Sequence, residues 1–313
     1  MTLIKPKFWD EKIGFISIIL IPFALIFLAI IFFKKKLTKP KQFKIPIICV
    51  GNIYVGGTGK TPTSIFLANE ISRSGKKTTI LRKYYKSHKD EHELIKKNFN
   101  NLLLNTSRIN GLKHAENSNF DIAILDDGLQ DHRIKKDFSI VCFNEKQLIG
   151  NGLIFPSGPL RESLQSLKKT DIVIINGDKN KKFEDKILNI NKNLSIFYSL
   201  YKPVNLDEFK NKKLMAVAGI GNPNNFFQLL EENNLLIEKK LIFPDHYSFS
   251  ENEIQKIIND ANKKNYQIIM TEKDYYKIKD IYKDQVKFLK VMLKIENQEK
   301  LMKKINELYD KKD

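Results

Sequence analysis

The stretch IPIICVGNIYVGGTGKTP, residues 45–62, decides how the rest of this chain is interpreted. A short apolar run with the character of a buried parallel strand leads into a glycine-rich loop that ends in Gly59, Lys60 and Thr61, and an amphipathic helix follows. In such a unit the backbone N–H groups and the helix N-terminus face phosphate oxygens, the lysine reaches the β- and γ-phosphates, and the threonine hydroxyl binds Mg²⁺. The stretch therefore predicts a nucleoside triphosphate site.

The loop departs from the strict G-x-x-x-x-G-K-[ST] pattern at one position. Tyr54 stands five residues before Gly59, where that pattern has glycine, and residues 55–61 read VGGTGKT. This sequence is closer to the GGxGKT loops of some ATPases and kinases. The alternative is a glycine-rich turn with a chance lysine, which the strand before the loop and the helix after it argue against.

The net charge of +18 comes almost entirely from lysine, because the chain has only five arginines. No basic stripe interleaved with aromatic side chains stands out, so we expect no nucleic-acid partner. The lysine excess instead predicts a general attraction to anionic lipid.

Gly14–Phe33 is an uncharged, mostly apolar run of twenty residues, about 30 Å long as a helix. It predicts a single transmembrane helix, with the C-terminal body kept in the cytoplasm by the lysines that follow the run. A helix lying in the membrane interface is the alternative. A signal peptide is disfavoured, because the run is too long and no small-residue cleavage site follows.

Beyond the loop, strand-like apolar runs alternate with helical or loop segments to about residue 200, and a second such set begins near residue 212. The predicted fold class is α/β: a P-loop NTPase-like parallel-sheet domain with an N-terminal transmembrane helix and a second, smaller α/β domain. The predicted domains are a membrane anchor over 1–38, a nucleotide-binding domain over 39–205 and a C-terminal α/β domain over 206–313. Residues 84–108 are expected to form an irregular connection, and Ser250 with Glu253 predicts a capping box.

A second buried strand ends in Asp126, at the start of the segment DDGLQDHR, residues 126–133. An acidic residue at such a strand end is the usual Mg²⁺ partner of a phosphate loop. A polar turn is the alternative, but it does not account for so many carboxylate, amide, imidazole and guanidinium groups together. Because this chain uses lysine by default, the arginines in or beside such segments indicate planar contacts to phosphate or carboxylate: Arg82, Arg108, Arg133 and Arg161.

With these segments the chain resembles the tetraacyldisaccharide 4'-kinases, the membrane-anchored lipid A kinases of Gram-negative bacteria. The resemblance covers nearly the whole chain, and DDGLQ and AGIGNP are much more specific than a phosphate loop alone. Its motifs stand in the family's order: VGNIYVGGTGKTP (50–62), DDGLQDHR (126–133), GNGLIFPSGPLRES (150–163), AGIGNPNNFF (218–227), FPDHYSF (243–249) and TEKD (271–274).

The resemblance implies an ATP-dependent lipid kinase of lipid A and lipopolysaccharide biosynthesis. Such an enzyme uses ATP and Mg²⁺ to phosphorylate the 4'-hydroxyl of an acylated glucosamine disaccharide 1-phosphate, which forms lipid IVA. The implied location is the bacterial inner membrane, with one membrane pass and a cytoplasmic catalytic body. No obligate protein partner is inferred.

For the site, the resemblance implies that Asp90 is the base for the sugar hydroxyl, that His246 orients it, and that Lys60 and Arg108 are also catalytic. Residues 89–92, KDEH, match the family's Gly-Asp-Glu-Pro motif only in the two carboxylates. Nucleotide contacts are expected from Gly56, Gly57, Thr58, Gly59, Lys60, Thr61, Arg82, Tyr84 and Gln130. Metal contacts are expected from Thr61, Glu91, Asp126 and Asp127.

Two departures from the family leave alternatives open. Residues 82–85 read RKYY where the family has Arg-Gly-Tyr, and the segment from there to Asp90 is shorter than usual. One alternative is therefore a degenerate member without activity. Another is a membrane-associated nucleotide switch ATPase of the partitioning or protein-targeting type; such switches usually carry a lysine just before the first glycine of the loop, where this chain has Val55.

Overall fold

The computed structural model describes residues 5–245 and 247–307. The described strands are β1 (Ile47–Gly51), β2 (Thr78–Lys83), β3 (Leu102–Asn105), β4 (Ile122–Asp126), β5 (Phe138–Asn144), β6 (Ile172–Asn176), β7 (Ser195–Pro203), β8 (Lys213–Ala218), β9 (Leu236–Ile242), β10 (Gln267–Thr271), β11 (Val286–Leu289) and β12 (Val291–Ile295). The described α-helices are α1 (Phe15–Ile19), α2 (Ile21–Leu37), α3 (Lys60–Arg73), α4 (Lys89–Asn98), α5 (Arg108–Asn117), α6 (Lys181–Leu188), α7 (Pro223–Glu232), α8 (Glu251–Lys263), α9 (Glu272–Tyr275) and α10 (Gln298–Asn306).

The chain forms two compact units. The large unit comprises Lys5–Tyr84, Phe99–Leu200 and 293–307, and the small unit comprises Tyr85–Asn98 and Tyr201–Met292. The sequence-derived boundaries assign three segments to the other unit: Tyr85–Asn98, 201–205 and 293–307. As a statement about independently folding domains, those boundaries stay a prediction.

The large unit is built on an eight-stranded sheet in the order β12-β7-β6-β5-β1-β4-β2-β3. From β7 to β3 every neighbouring pair is parallel, with β1 between β4 and β5. All residues of β1, β4 and β5 are buried, as expected for central strands covered by helices on both faces. The parallel α/β architecture predicted from the sequence is confirmed, and it brings the carboxyl ends of β1 and β4 to one edge.

The small unit contains a second parallel sheet in the order β11-β10-β8-β9. One core cluster includes Phe226, Phe227 and Leu230 of α7, and another includes Ile254 and Ile258 of α8. The predicted capping box at the start of α8 is confirmed, because the Ser250 hydroxyl accepts from the Glu253 N–H while the Glu253 carboxylate accepts from the Ser250 N–H.

The expectation of an irregular connection over residues 84–108 is wrong, because this stretch contains α4 and β3. The buried side chains of α4 are Asp90, His92 and Ile95. A helix whose inward face is mostly polar lacks the apolar 3.6-residue period by which helices are identified from sequence.

The single transmembrane helix predicted over Gly14–Phe33 is not confirmed. The run is divided between α1, of five residues, and α2, of seventeen, with Leu20 between them. Pro22 lies at the start of α2 and has no N–H to donate to the preceding turn, which accounts for the break. Over 5–245 and 247–307, no helix has both the length and the apolar character needed to cross a membrane.

Candidate active site

The phosphate loop connects the end of β1 to the first turn of α3. Gly59 caps α3 with a φ of 90°, and Gly56 has a φ of 137°, values that strongly favour glycine. Within the described residues, the hydroxyl of Thr58 is buried and has no hydrogen-bond partner. A glycine cradle with an unsatisfied hydroxyl at a helix N-terminus suits phosphate oxygens as ligands.

The loop is fixed from outside by three hydrogen bonds. The Tyr54 hydroxyl donates to Asp10 at 2.7 Å, the Val55 N–H donates to the Pro159 carbonyl at 2.8 Å, and the Gln130 amide donates to the Asn52 carbonyl at 2.9 Å. Tyr54 is fully buried, and burial together with the Asp10 contact raises the pKa of its phenol, so it stays a donor. The residue that breaks the strict loop pattern is therefore an anchor of the loop.

The end of β1 and the DDGLQ segment pack against each other at Gly51. A Cβ atom added to Gly51 would lie 2.5 Å from the Cβ of Leu129, so only glycine allows this approach. The contact, together with the hydrogen bond of Gln130, joins the two most informative sequence motifs into one structure.

Asp126, at the end of β4, is the buried acidic centre of this region. It accepts hydrogen bonds from the Thr61 hydroxyl at 3.1 Å and the Ser64 hydroxyl at 2.9 Å, and it forms an ion pair with Arg82. Arg82 and Asp126 are paired in register on the adjacent strands β2 and β4. A hydroxyl beside a carboxylate is the protein part of a phosphate-loop Mg²⁺ site, which takes its other oxygens from phosphates and water.

Two further observations bear on the metal. Among the described residues, no group of three or more His, Cys, Asp or Glu side chains is arranged to hold a metal ion. Glu91, a predicted metal contact, lies on α4 in the small unit, where it pairs with Lys273 at 3.4 Å. The oxygens of Thr61 and Asp126 fit a magnesium ion that brings its remaining ligands with the nucleotide.

Asp127 follows with a φ of 53° and faces cationic groups. Its carboxylate lies 3.7 Å from Lys60 Nζ and 3.4 Å from Arg161 Nη1, while its carbonyl accepts from Arg108 Nη2 at 2.6 Å. Burial opposes ionisation of Asp127, yet Lys60 and Arg161 outweigh it and hold the pKa of this carboxyl well below its usual range. Burial lowers the pKa of Lys60, and Asp127 opposes that effect. The arrangement concentrates positive charge where a triphosphate would need it.

Arg108 begins α5 and also lies 3.6 Å from Asp131, whose carboxylate is held by Arg133 at 2.8 and 2.9 Å. Tyr84 follows β2, is partly exposed, and donates its backbone N–H to the Asn105 carbonyl.

The small unit holds the second group of predicted residues. Asp90 is 4% exposed and lies 3.5 Å from Lys273 Nζ and 3.7 Å from Lys277 Nζ. Lys273 also pairs with Asp245 at 3.0 Å. His246, the predicted partner of Asp90, lies outside the described residues. We call Asp90, Glu91, Asp245, Lys273 and Lys277 the lysine–carboxylate cluster.

The structure thus brings Lys60, Thr61, Arg82, Asp126 and Asp127 together in the large unit. In the small unit, Asp90 and Glu91 meet at Lys273. The ion pairs of Lys273 and Lys277 were not predicted, because a lysine carries little information in a chain so rich in lysine. The available signal was TEKD, residues 271–274, directly after a predicted strand.

Comparison with known proteins places this geometry in context. A family model described as Tetraacyldisaccharide-1-P 4'-kinase matches residues 16–310. Tetraacyldisaccharide 4'-kinase of Pelagibacter ubique is 41% identical over 99% of this chain and 100% of its own length. The protein of the same name from Francisella tularensis subsp. novicida is 33% identical over 92% of this chain and 98% of its own length.

One solved structure is similar in fold. It is described as the "apo" form of LpxK from Aquifex aeolicus in complex with ATP, and it has a TM-score of 0.72 with 24% sequence identity. The match covers 93% of this chain and 99% of that chain.

Proposed function

The chain belongs to the tetraacyldisaccharide-1-P 4'-kinase family, and on that premise we propose that it transfers the γ-phosphate of ATP to the 4'-hydroxyl of an acylated glucosamine disaccharide 1-phosphate. The observation that carries the proposal is that Thr61 contacts Asp126 and Lys60 contacts Asp127 at the carboxyl ends of β1 and β4. The family match over nearly the full chain favours this lipid kinase over a nucleotide switch ATPase.

On the nucleotide side, the loop N–H groups and Lys60 bind the β- and γ-phosphates of ATP. Arg161 and Arg82 add positive charge beside the carboxylates of Asp127 and Asp126. Thr61 and Asp126 would hold Mg²⁺, which would supply neutralisation of the phosphate charge.

On the acceptor side, Asp90 takes the proton of the sugar 4'-hydroxyl. The hydroxyl oxygen then forms a bond to the γ-phosphorus, the bond from that phosphorus to the β–γ bridging oxygen breaks, and ADP leaves. A sugar hydroxyl is a weak nucleophile at neutral pH, so a positioned carboxylate base is chemically appropriate. Asp90 is buried beside the ammonium groups of Lys273 and Lys277, and these contacts support a carboxylate held in a fixed position.

The N-terminal helices support a position at the cytoplasmic face of the inner membrane. Ala24, Phe27 and Leu28 pack on the core of the large unit. Other side chains of this segment are exposed and apolar, and Lys34, Lys35 and Lys36 end α2. Apolar side chains beside lysines are typical of helices that lie in an anionic lipid interface. The exposed apolar set includes Phe15, Ile16, Ile18, Ile19, Phe23, Leu25, Ile26, Ile30, Phe32 and Phe33.

Lipid labelling tests the proposed reaction. Purified protein is incubated with γ-labelled ATP, Mg²⁺ and the acylated disaccharide 1-phosphate, beside Lys60→Met. We expect label in the lipid with the unaltered chain and about 10³-fold less with Lys60→Met, because a cation facing the transferred phosphate is lost. ATP hydrolysis without lipid label would indicate a nucleotide switch, and neither activity would indicate a degenerate member.

Vesicle sedimentation tests the membrane position. The double variant Phe23→Ser with Phe32→Ser should bind vesicles containing phosphatidylglycerol more weakly than the unaltered chain. Ile281→Ser is the matched control, since Ile281 is also an exposed apolar residue but lies in the small unit. Equal binding by all three proteins would refute the proposed membrane surface.

A further inference from the structure

Lys273 lies among three carboxylates that come from two separate segments of the small unit. Its Nζ is 3.0 Å from Asp245, 3.4 Å from Glu91 and 3.5 Å from Asp90. The side chain of Lys273 is 15% exposed. Three carboxylates this close repel one another unless a cation lies between them, and in a poorly solvated place that repulsion is strong.

The short helix α9 that carries Lys273 is itself firmly held. Its N-cap Thr271 accepts from the Asp274 N–H, and the Thr271 hydroxyl donates to the Asp274 carboxylate at 2.7 Å. Asp274 is fully buried and accepts from the Gly219 N–H at 2.8 Å, which ties α9 to the end of β8. A Cβ added to Gly219 would lie 3.0 Å from Asp274. The backbone of Lys273 is therefore held in a fixed position.

Lys277, one turn further along, has a different set of contacts. Its ammonium donates to Asp274 at 2.7 Å and to the Gly219 carbonyl at 3.1 Å, and it reaches Asp90 only at 3.7 Å. The nearest partners of Lys277 are thus Asp274, within α9, and Gly219, to which α9 is bound, so Lys277 stabilises α9 itself. Lys273, in contrast, forms ion pairs with three carboxylates that all belong to segments outside α9.

We propose that Lys273 is a positioning residue for phosphoryl transfer, which holds the base Asp90 and the Asp245 end of the 243–249 segment in one arrangement. The inference rests on the proposed function, in which Asp90 takes the proton of the sugar hydroxyl. Lys273 acts through Asp90. Without the ammonium, Asp90, Glu91 and Asp245 separate, and the base loses its place relative to the hydroxyl.

Steady-state kinetics with ATP, Mg²⁺ and the acylated disaccharide 1-phosphate test this role. For Lys273→Met we expect kcat to fall by about 10- to 100-fold, as misplacement of a reacting group by about 1 Å does. KM for both substrates should stay within about twofold, because positioning of the base affects the transition state more than binding. Lys273→Arg should recover most of the loss, because it keeps the positive charge.

Lys239→Met is the matched control. Lys239 also forms an ion pair with an aspartate of the small unit, Asp260 at 2.6 Å, and both side chains are partly exposed. It should leave kcat unchanged. Melting temperatures of all variants identify losses caused by misfolding, and Lys273→Gln replaces Lys273→Met if the latter does not fold.

The outcomes separate the two proposals. Lipid labelling by the unaltered chain that is lost in Asp90→Asn but kept in Lys273→Met would overturn the role of Lys273 alone. A rise in KM with unchanged kcat would also overturn it, since Lys273 would then contact substrate. Failure of the unaltered chain to label the lipid would instead overturn the proposed function.

Discussion

Asp126 in the large unit and Asp90 in the small unit are both buried carboxylates beside cations, yet their surroundings are built differently. Asp126 accepts from two hydroxyls on the first turns of α3 and pairs with a guanidinium on the adjacent strand. Asp90 faces two lysines from a distant part of the chain, and one of those lysines is shared with Glu91 and Asp245. The first centre is formed by adjacent strands of one sheet together with the helix α3, and the second by lysines that several carboxylates share.

Because of this difference, substitutions at Asp126 and at Asp90 should affect the stability of the fold to different degrees. Thr61, Ser64 and Arg82 all direct polar groups at Asp126, so loss of its charge disturbs the fold and the proposed metal site together. Lys273 and Lys277 retain other carboxylate partners when Asp90 is changed. We therefore expect Asp126 variants to affect folding and activity, and Asp90 variants to affect activity alone.

The largest expected effect is that of Asp126→Asn. Kinase activity should fall by about 10³-fold or more, because the carboxylate that would hold Mg²⁺ is lost. The free energy of unfolding should fall by about 3–5 kcal/mol, because the buried Arg82 guanidinium loses its counter-charge. Urea unfolding and lipid labelling measure the two losses. The exposed Asp185, paired with Lys181, provides the control Asp185→Asn, for which we expect a change within about 0.5 kcal/mol.

Asp90→Asn should have the next largest effect, now confined to catalysis. We expect kcat to fall by about 10²- to 10⁴-fold, the usual contribution of a positioned base. Binding of a labelled ATP analogue and the urea midpoint should stay close to those of the unaltered chain. A loss of stability as large as that of Asp126→Asn would show that the two centres do not differ in the way described.

Thr271→Ala tests whether the N-cap of α9 holds Lys273 in place within the lysine–carboxylate cluster. Loss of the N-cap hydrogen bond of α9 should lower the free energy of unfolding by about 1 kcal/mol. Since α9 carries Lys273 and Lys277 follows directly after it, a decrease in kcat should accompany the loss. Thr271→Ser keeps the hydroxyl and should restore both properties; failure to do so would argue against the cap as the cause.

The smallest effect concerns pH. Because Lys60 and Arg161 overcome burial and depress the pKa of Asp127, its ionised form stabilises the folded state above its ordinary pKa of about 3.9. This contribution is lost progressively as the pH falls from about 5 toward the folded-state pKa. Asp127→Asn should therefore show a shallower loss of stability than the unaltered chain when urea unfolding is measured at pH 5, 4 and 3. Parallel curves for the two proteins would contradict the assigned ion pairs.

The same contrast explains what could be predicted from the sequence. The phosphate loop, Asp126 and most strands of the two sheets follow from local patterns, since loop, strand and helix are consecutive. The helix α4 was missed because it buries Asp90 and His92 together with Ile95, which hides its apolar period. The role proposed for Lys273 was not assigned, although TEKD was among the motifs, because it depends on a fold that brings α9 to α4. One helix was predicted over Gly14–Phe33, whereas the chain forms two helices, with Pro22 at the start of the second.

The hydrogen bond between Tyr54 and Asp10 has a consequence for how this enzyme can be divided. Trp9 donates its indole N–H to the Pro156 carbonyl at 3.0 Å, so the first residues of the large unit are tied both to the phosphate loop and to the segment beside it. A chain shortened to begin at residue 39 would lose the acceptor of the buried Tyr54 phenol directly before the ATP loop. The N-terminal segment therefore cannot be replaced by an unrelated membrane anchor without effect on the loop. Fusion proteins that carry such an anchor should keep residues 5–12 to preserve ATP affinity.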